Sequence, residues 1–228
     1  MGSNWVNRTL WTGDNLDIMR GMNSESVDLI YLDPPFNSNK TYSAPIGSKA
    51  AGAAFKDTWT LSDVDVAWHG EIADRYPALY VIIDAAGLAH SKAMKAYLIM
   101  MAVRLLEIKR ILKETGNVYL HCDPTANSYL KVTMDCVFGK VNFRNEITWC
   151  YSTSGRPKKW FAKKHDTILL YTKSEKGFWG NYKIPVSAEY LASHYRQTDK
   201  NGRQCRIRTD ADKTRIYYPE EGMICNDW

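Results

Sequence analysis

Apolar and polar positions change period several times along the 228 residues of this chain. Each change marks an element. Thr9-Leu10-Trp11-Thr12-Gly13 reads as a short strand running into Asp14, followed by a helix over Leu16 to Met22. Val27 to Leu32 is a short aliphatic run that fits a buried strand. Asp33-Pro34-Pro35 stops it, because proline has no N–H to give a sheet and fixes its own φ. The Gly/Ala/Ser-rich stretch from Asn37 to Ala54 reads as a mobile loop that orders over substrate. Helices are expected around 63–75 and 77–88, and the clearest at 92–113. There Leu98, Met101, Leu105, Ile108 and Leu112 recur at three- and four-residue spacing as core. Gly116 reads as the end of that helix and Asn117 to His121 as the next strand. Asp123-Pro124 supplies an N-cap and a proline at the first helical position, and the helix stops at Gly139. Strands at about 145–151 and 166–172 follow. Strands alternating with helices argue for an α/β fold with a parallel sheet and crossover helices. From residue 174 the chain becomes richer in Gly, Asn, Arg, Tyr and Asp, so the division expected is 1–173 as one domain and 174–228 as an irregular β-containing appendage.

Composition narrows the class without naming it. At 45% hydrophobic residues the chain can bury an ordinary core. There is no long apolar segment, since Leu98 to Val103 is broken at once by Arg104, which argues against a membrane span. The opening Met1-Gly2-Ser3 lacks signal-peptide character and reads as a cloning remnant. Five scattered cysteines without paired metal-ligand spacing read as reduced thiols, and the expected location is cytoplasmic. A net charge of +5 is compatible with nucleic-acid binding but does not establish it. No Gly-x-Gly-x-x-Gly follows the first strand, which speaks against a dinucleotide-dependent oxidoreductase. Neither a nucleophile elbow nor a plausible metal cluster supports a hydrolase.

Chemistry concentrates at Asp33-Pro34-Pro35-Phe36. Asp33 falls at the carboxyl end of a strand, where open α/β sheets bind their ligands. A carboxylate, a carbonyl on a stiff backbone and a ring together suit a planar heterocycle carrying an amino group. A strand ending in a diproline turn, with Asp33 as its cap, is the structural alternative. The motif resembles the Asp-Pro-Pro-Phe/Tyr signature of the DNA amino-methyltransferases, which methylate the exocyclic amine of adenine or cytosine with S-adenosyl-L-methionine. That resemblance implies a Rossmann-like methyltransferase fold with a small target-recognition appendage at 174–228. It also implies catalytic roles for Asp33, Pro34, Pro35 and Phe36, with Asp33 and the Pro34 carbonyl accepting from the amine and Phe36 stacking on a flipped base.

Further segments follow in the order of the family's beta-type arrangement. Gly13-Asp14-Asn15 resembles the pair near the cofactor's adenosine, so Asp14 joins Asp33 as a cofactor-binding candidate, with a plain helix N-cap as the alternative. His121-Cys122-Asp123-Pro124 resembles a His-x-Asp-Pro segment, although Asp123 caps a helix in any case and His121 also reads as a core histidine. Trp149 and Tyr151 alternate along one strand face, so both rings can enter one cavity. Arg156 to Lys164 carries five basic groups (Arg156, Lys158, Lys159, Lys163, Lys164) and no acid, interleaved with Trp160 and Phe161. Asn37, Trp149, Tyr151, those five and His165 are the base- and DNA-binding candidates, with a solvated loop as the alternative for the basic run. Arg196 to Arg215 holds seven basic residues against three acids where the subgroup places target recognition.

The resemblance breaks at the end. The family's Phe-x-Gly-x-Gly cofactor segment is absent after residue 173, and the expectation is truncation or missing residues. Were residues 1–228 the whole protein, weak or no cofactor binding and dependence on a second methyltransferase subunit would follow. The implied partners are double-stranded DNA, a homodimer mate or second subunit, and a restriction endonuclease, in a bacterial, archaeal or phage setting. The competing readings are a cytosine-N4 enzyme and a non-catalytic DNA-binding subunit.

Overall fold

The computed structural model describes residues 2–36, 40–43, 54–57, 66–152, 157–159, 161–180, 182–210 and 213–224, with backbone alone at 40–43, 54–57, 66–69, 71, 210 and 223–224. Two compact units are resolved, Met1–Phe178 and Trp179–Trp228.

The first unit is built on a four-stranded sheet in the order β1 (Val27–Leu32), β4 (Leu112–Cys122), β6 (His165–Thr172), β5 (Phe143–Cys150). β1 and β4 are parallel, whereas β6 runs antiparallel to both β4 and β5. The sheet is therefore mixed, not all parallel. The crossover from β4 through α5 (Asn127–Phe138) does return β5 in the direction of β4. β6 then lies between β4 and β5 and runs opposite to both, which makes it the reversed strand of the sheet.

Helices α4 (Lys92–Ile111) and α5 pack on one sheet face, and α3 (Pro77–Ala89) packs against both of them. Leu79, Ile83, Leu98, Met101, Leu105, Ile108, Leu130 and Met134 meet Val118, Leu120, Cys122, Leu169 and Tyr171 in one core. α4 forms where its apolar periodicity predicts, with Ser91 capping the Met94 amide at 3.1 Å and Lys109 and Arg110 in the last turn, favourable to the helix dipole. It ends at Ile111, and β4 begins at the next residue. Gly116 is thus inside β4 rather than past a helix. The β1–β4 register slips between Val27 and Leu29, and a Cβ on Gly116 would sit 2.6 Å from Leu112 Cγ and 2.9 Å from the Lys113 carbonyl oxygen. Only glycine lets this bulge close so tightly.

Other expectations need adjustment. Residues 9–13 form no strand, since a strand persists only when paired and no described segment pairs with them; Leu10 is almost fully exposed. β1 is half-buried: Ile30 and Leu32 face the core while Leu29 and Tyr31 face outward. α1 (Asn15–Arg20) ends before Met22. Asp123 Oδ1 accepts from the amides of Thr125 and Ala126, capping the turn that leads into α5, and Gly139 (φ 91°) ends that helix. Of the Asn37–Ala54 stretch, only the backbone of β2 (Lys40–Ser43), which pairs with β3 (Ala54–Asp57), and residue 54 itself are described; the substrate-loop expectation otherwise lies outside the described residues. α2 (Val66–Arg75) completes this unit.

The second unit contains β7 (Lys183–Ile184), α6 (Ala188–His194), β8 (Gln197–Thr198), β9 (Gln204–Asp210), β10 (Lys213–Tyr217) and β11 (Met223–Ile224). Strands β10, β9 and β8 form one sheet, and β11 pairs with β7.

Candidate active site

The sheet converges on one end. Asp33 follows the last residue of β1, and the register places Leu32 beside Leu120 and Tyr31 beside Tyr119. His121 on β4 lies opposite Ile168 of β6, and Asp166 sits two residues earlier on the same face. Trp149 of β5 is directly opposite Asp166, and Cys150 is opposite His165.

A cavity of about 490 Å³ opens here, within the range of small-molecule sites. Asp14, Asp33, Pro34 and Pro35 line its polar side, while Leu32, Met100, Met101 and Ile108 supply apolar wall. The Asp33 side chain is 65% exposed, so the acid points to solvent at the mouth rather than into the protein. Asp14 does two things. It caps α1 through a 2.8 Å bond from the Leu16 amide, and it reaches the same cavity. Gly13, at φ 138°, makes the turn that aims it there. Arg104 of α4 fixes it, with Nη2 donating to both Asp14 carboxylate oxygens at 2.8 and 3.0 Å, Nε to Asn15 Oδ1 at 2.8 Å, and Nη1 to the Met100 carbonyl at 3.1 Å.

His121 is not a core histidine. It sits between two acids, with Nδ1 3.5 Å from Asp33 Oδ1 and Nε2 3.3 Å from Asp166 Oδ2. Tyr31 Oη lies 3.3 Å from His121 Nδ1, and the Phe36 ring packs 5.4 Å from the imidazole. Burial, then the Asp33 charge, pushes the Tyr31 phenol up; burial, then Asp166, does the same for Tyr151. Both phenols therefore stay protonated and act as donors. Tyr31 Oη can donate to His121 Nδ1, and in the matching tautomer Nε2 donates to Asp166.

The remaining candidates are distributed more loosely. Tyr151 donates to Asp166 Oδ1 at 3.3 Å, and Trp149 is 59% exposed. Neither ring lines the Asp33 cavity; the connection runs through Asp166 and His121. Lys158, Lys159 and Lys163 are exposed, Lys164 and His165 half-buried, and the Lys164 carbonyl accepts from the Tyr151 amide at 3.0 Å. Asn37, Arg156 and Trp160 lie outside the described residues. Arg104, Tyr31 and Asp166 escape a reading of the sequence. The one trace is Arg104 interrupting an apolar run, and nothing local ties it to Asp14 ninety residues away.

A family model described as DNA methylase matches residues 27–220. The chain is 28% identical over 197 residues to the type III restriction-modification enzyme StyLTI Mod subunit of Salmonella typhimurium, covering 82% of this chain and 26% of the relative. It is 29% identical over 199 residues to the type II methyltransferase M.EcaI of Enterobacter cloacae, covering 86% and 36%. It is 25% identical over 179 residues to the EcoP15I Mod subunit of Escherichia coli, covering 77% and 26%. The chain thus spans roughly a quarter to a third of the length of these relatives. With the mixed α/β sheet and an acid-lined cavity at its strand ends, the match over most of the sequence makes this chain a member of the DNA methylase family.

Proposed function

We propose that this chain is the catalytic portion of a DNA methyltransferase that transfers a methyl group to the exocyclic N6 amine of an adenine flipped out of duplex DNA. The observation that carries the reading is Asp33, exposed at the carboxyl end of β1 and sharing one cavity with Asp14. The cavity suits S-adenosyl-L-methionine. Its apolar wall of Met100, Met101 and Ile108 accepts a purine and an aliphatic chain, and its two carboxylates suit ribose hydroxyls and positive charge. Asp14 and Asp33 would hold the cofactor, which supplies an electrophilic methyl on sulfur.

The protein's own groups do the rest. Asp33 and the Pro34 carbonyl accept the two N–H bonds of the amine and draw its lone pair out of conjugation with the ring. Phe36 offers a stacking face, held by its contact with His121. Pro34 and Pro35 stiffen the backbone that carries both acceptors. Asp33 would lie beside the positive charge that the amine gains on taking the methyl group from sulfur, and the surplus proton would pass to solvent. Trp149, Tyr151 and the basic run around Lys158, Lys159, Lys163 and Lys164, with His165, are assigned to the DNA strand. Arg156 and Asn37 join them by sequence. Residues 174–228 are assigned to target recognition. Double-stranded DNA is the substrate, a restriction subunit and a second copy or methyltransferase subunit are the candidate partners, and the enzyme works in the cytoplasm.

Labelled cofactor, mixed DNA and digestion to nucleosides test reaction and base together. N6-methyladenine is expected; N4-methylcytosine moves the assignment to the other amine. Asp33→Ala is expected to lower transfer by about 10²- to 10³-fold or more with DNA binding retained. Undiminished transfer by that variant sinks the mechanism.

A further inference from the structure

The second unit carries an arrangement of charge that its fold alone does not explain. β9 and β10 are antiparallel, and their register sets Arg208 directly opposite Arg215, with Arg206 opposite Tyr217. Alternation puts these four side chains on one face, and Ile207, Thr209, Thr214 and Ile216 on the other. Directly opposed residues hold their Cβ atoms about 5 Å apart, and like charges so placed destabilise the pair. Arg208 and Arg215 are both exposed.

Neighbouring arginines in this unit are tied down. Arg203 bonds the Glu220 carboxylate and lies 4.0 Å over the Tyr218 ring. Arg206 donates to Tyr190 Oη on α6. Among the described residues, no carboxylate or carbonyl bonds Arg208 or Arg215. β8 pairs β9 only at Gln197–Cys205 and Thr198–Gln204, so beyond that base the element is a two-stranded ribbon. A ribbon of that kind has the width of the DNA major groove. Two adjacent guanidinium groups at its exposed face, without an acidic partner among the described residues, complement closely spaced phosphates.

We propose that the β9–β10 ribbon is a DNA-docking element, in which Arg208 and Arg215 contact backbone phosphates of the duplex. This rests on the function proposed above, and it assigns the contact to two particular side chains. The opposed pair that repels in the free protein becomes favourable once phosphate lies between the two groups. Such contacts position the duplex rather than read its sequence.

Fluorescence anisotropy with a labelled duplex, repeated from about 50 to 300 mM salt, tests it. Each phosphate contact adds about 0.9 to the slope of log affinity against log salt. The double variant Arg208→Gln/Arg215→Gln is expected to lower the slope by about 1.8 and to weaken binding tens of fold near 0.1 M salt. Arg208→Lys/Arg215→Lys, which keeps both charges, is expected to retain most of the slope. The melting temperature of the free glutamine variant should hold or rise, because a repulsion has been removed; this also checks that it folds. A slope identical to wild type in the folded glutamine variant overturns the ribbon assignment and leaves the methyltransferase reading standing. A wild-type protein that does not bind duplex DNA refutes both.

Discussion

Cys122 offers a quantitative test of how dry the core is beneath the candidate site. Its side chain is fully buried on β4, with Sγ 3.4 Å from the Thr167 carbonyl it donates to. Burial first, then the charges of Asp123, Glu146 and Asp166, pushes this thiol up to about 12. An unfolded chain loses the same proton near the ordinary thiol value of 9.0. Between those two values the native state holds a proton that the unfolded state has released. Native stability from this group is therefore intact below pH 9 and falls as pH rises toward 12. The slope is about 1.4 kcal/mol per pH unit, so raising the pH from 9 to 10.5 removes about 2 kcal/mol. Urea unfolding followed by tryptophan fluorescence under reducing conditions, at pH 8, 9, 10 and 10.5, reads it directly. Cys122→Ala should start about 1–2 kcal/mol lower from lost packing and the lost bond, yet lose stability more slowly as pH rises. Tyr171, buried and bonded to Asp135 at 2.7 Å, titrates late in both proteins and adds a common fall above pH 10. Parallel curves for wild type and variant would refute the reasoning, because they would mean the thiol ionises as readily in the fold as outside it.

Two further perturbations probe the cavity and the sheet. Arg104→Met keeps an aliphatic stem but releases Asp14 and Asn15, so unfolding free energy should fall by about 1–2 kcal/mol. Affinity for S-adenosyl-L-methionine, measured by calorimetric titration, should weaken about tenfold; unchanged affinity removes Asp14 from the cofactor site. Gly116→Ala forces a Cβ against Leu112 and the Lys113 carbonyl, and should cost about 1–3 kcal/mol in urea unfolding; no loss would mean the bulge has slack.

What the sequence reveals divides along the range of the interactions involved. α4 is legible because its apolar spacing is a local signal, and β1 because a short aliphatic run ends in two prolines. Gly116 misleads because glycine marks both helix ends and tight bulges, and only the pairing with β1 tells them apart. Residues 9–13 carry a strand pattern with no strand to join. At the site, Asp33 and Asp14 are visible through their motifs. The groups that tune them, Arg104, Tyr31 and Asp166, arrive through contacts spanning 45 to 90 residues. The position of β6 between β4 and β5, which delivers Asp166, is a topological fact that alternation of elements does not encode.

The direct passage from Ile111 into Leu112 has a mechanical meaning. Met100, Met101 and Arg104 shape one wall of the cavity, and His121 braces the acid at its mouth, all on a single stretch of backbone. The wall of the candidate cavity and the histidine beside Asp33 thereby belong to one continuous stretch of backbone. Any shift of the helix along its axis is carried into the strand, and lengthening the joint by one residue would turn His121 to the opposite side of the sheet.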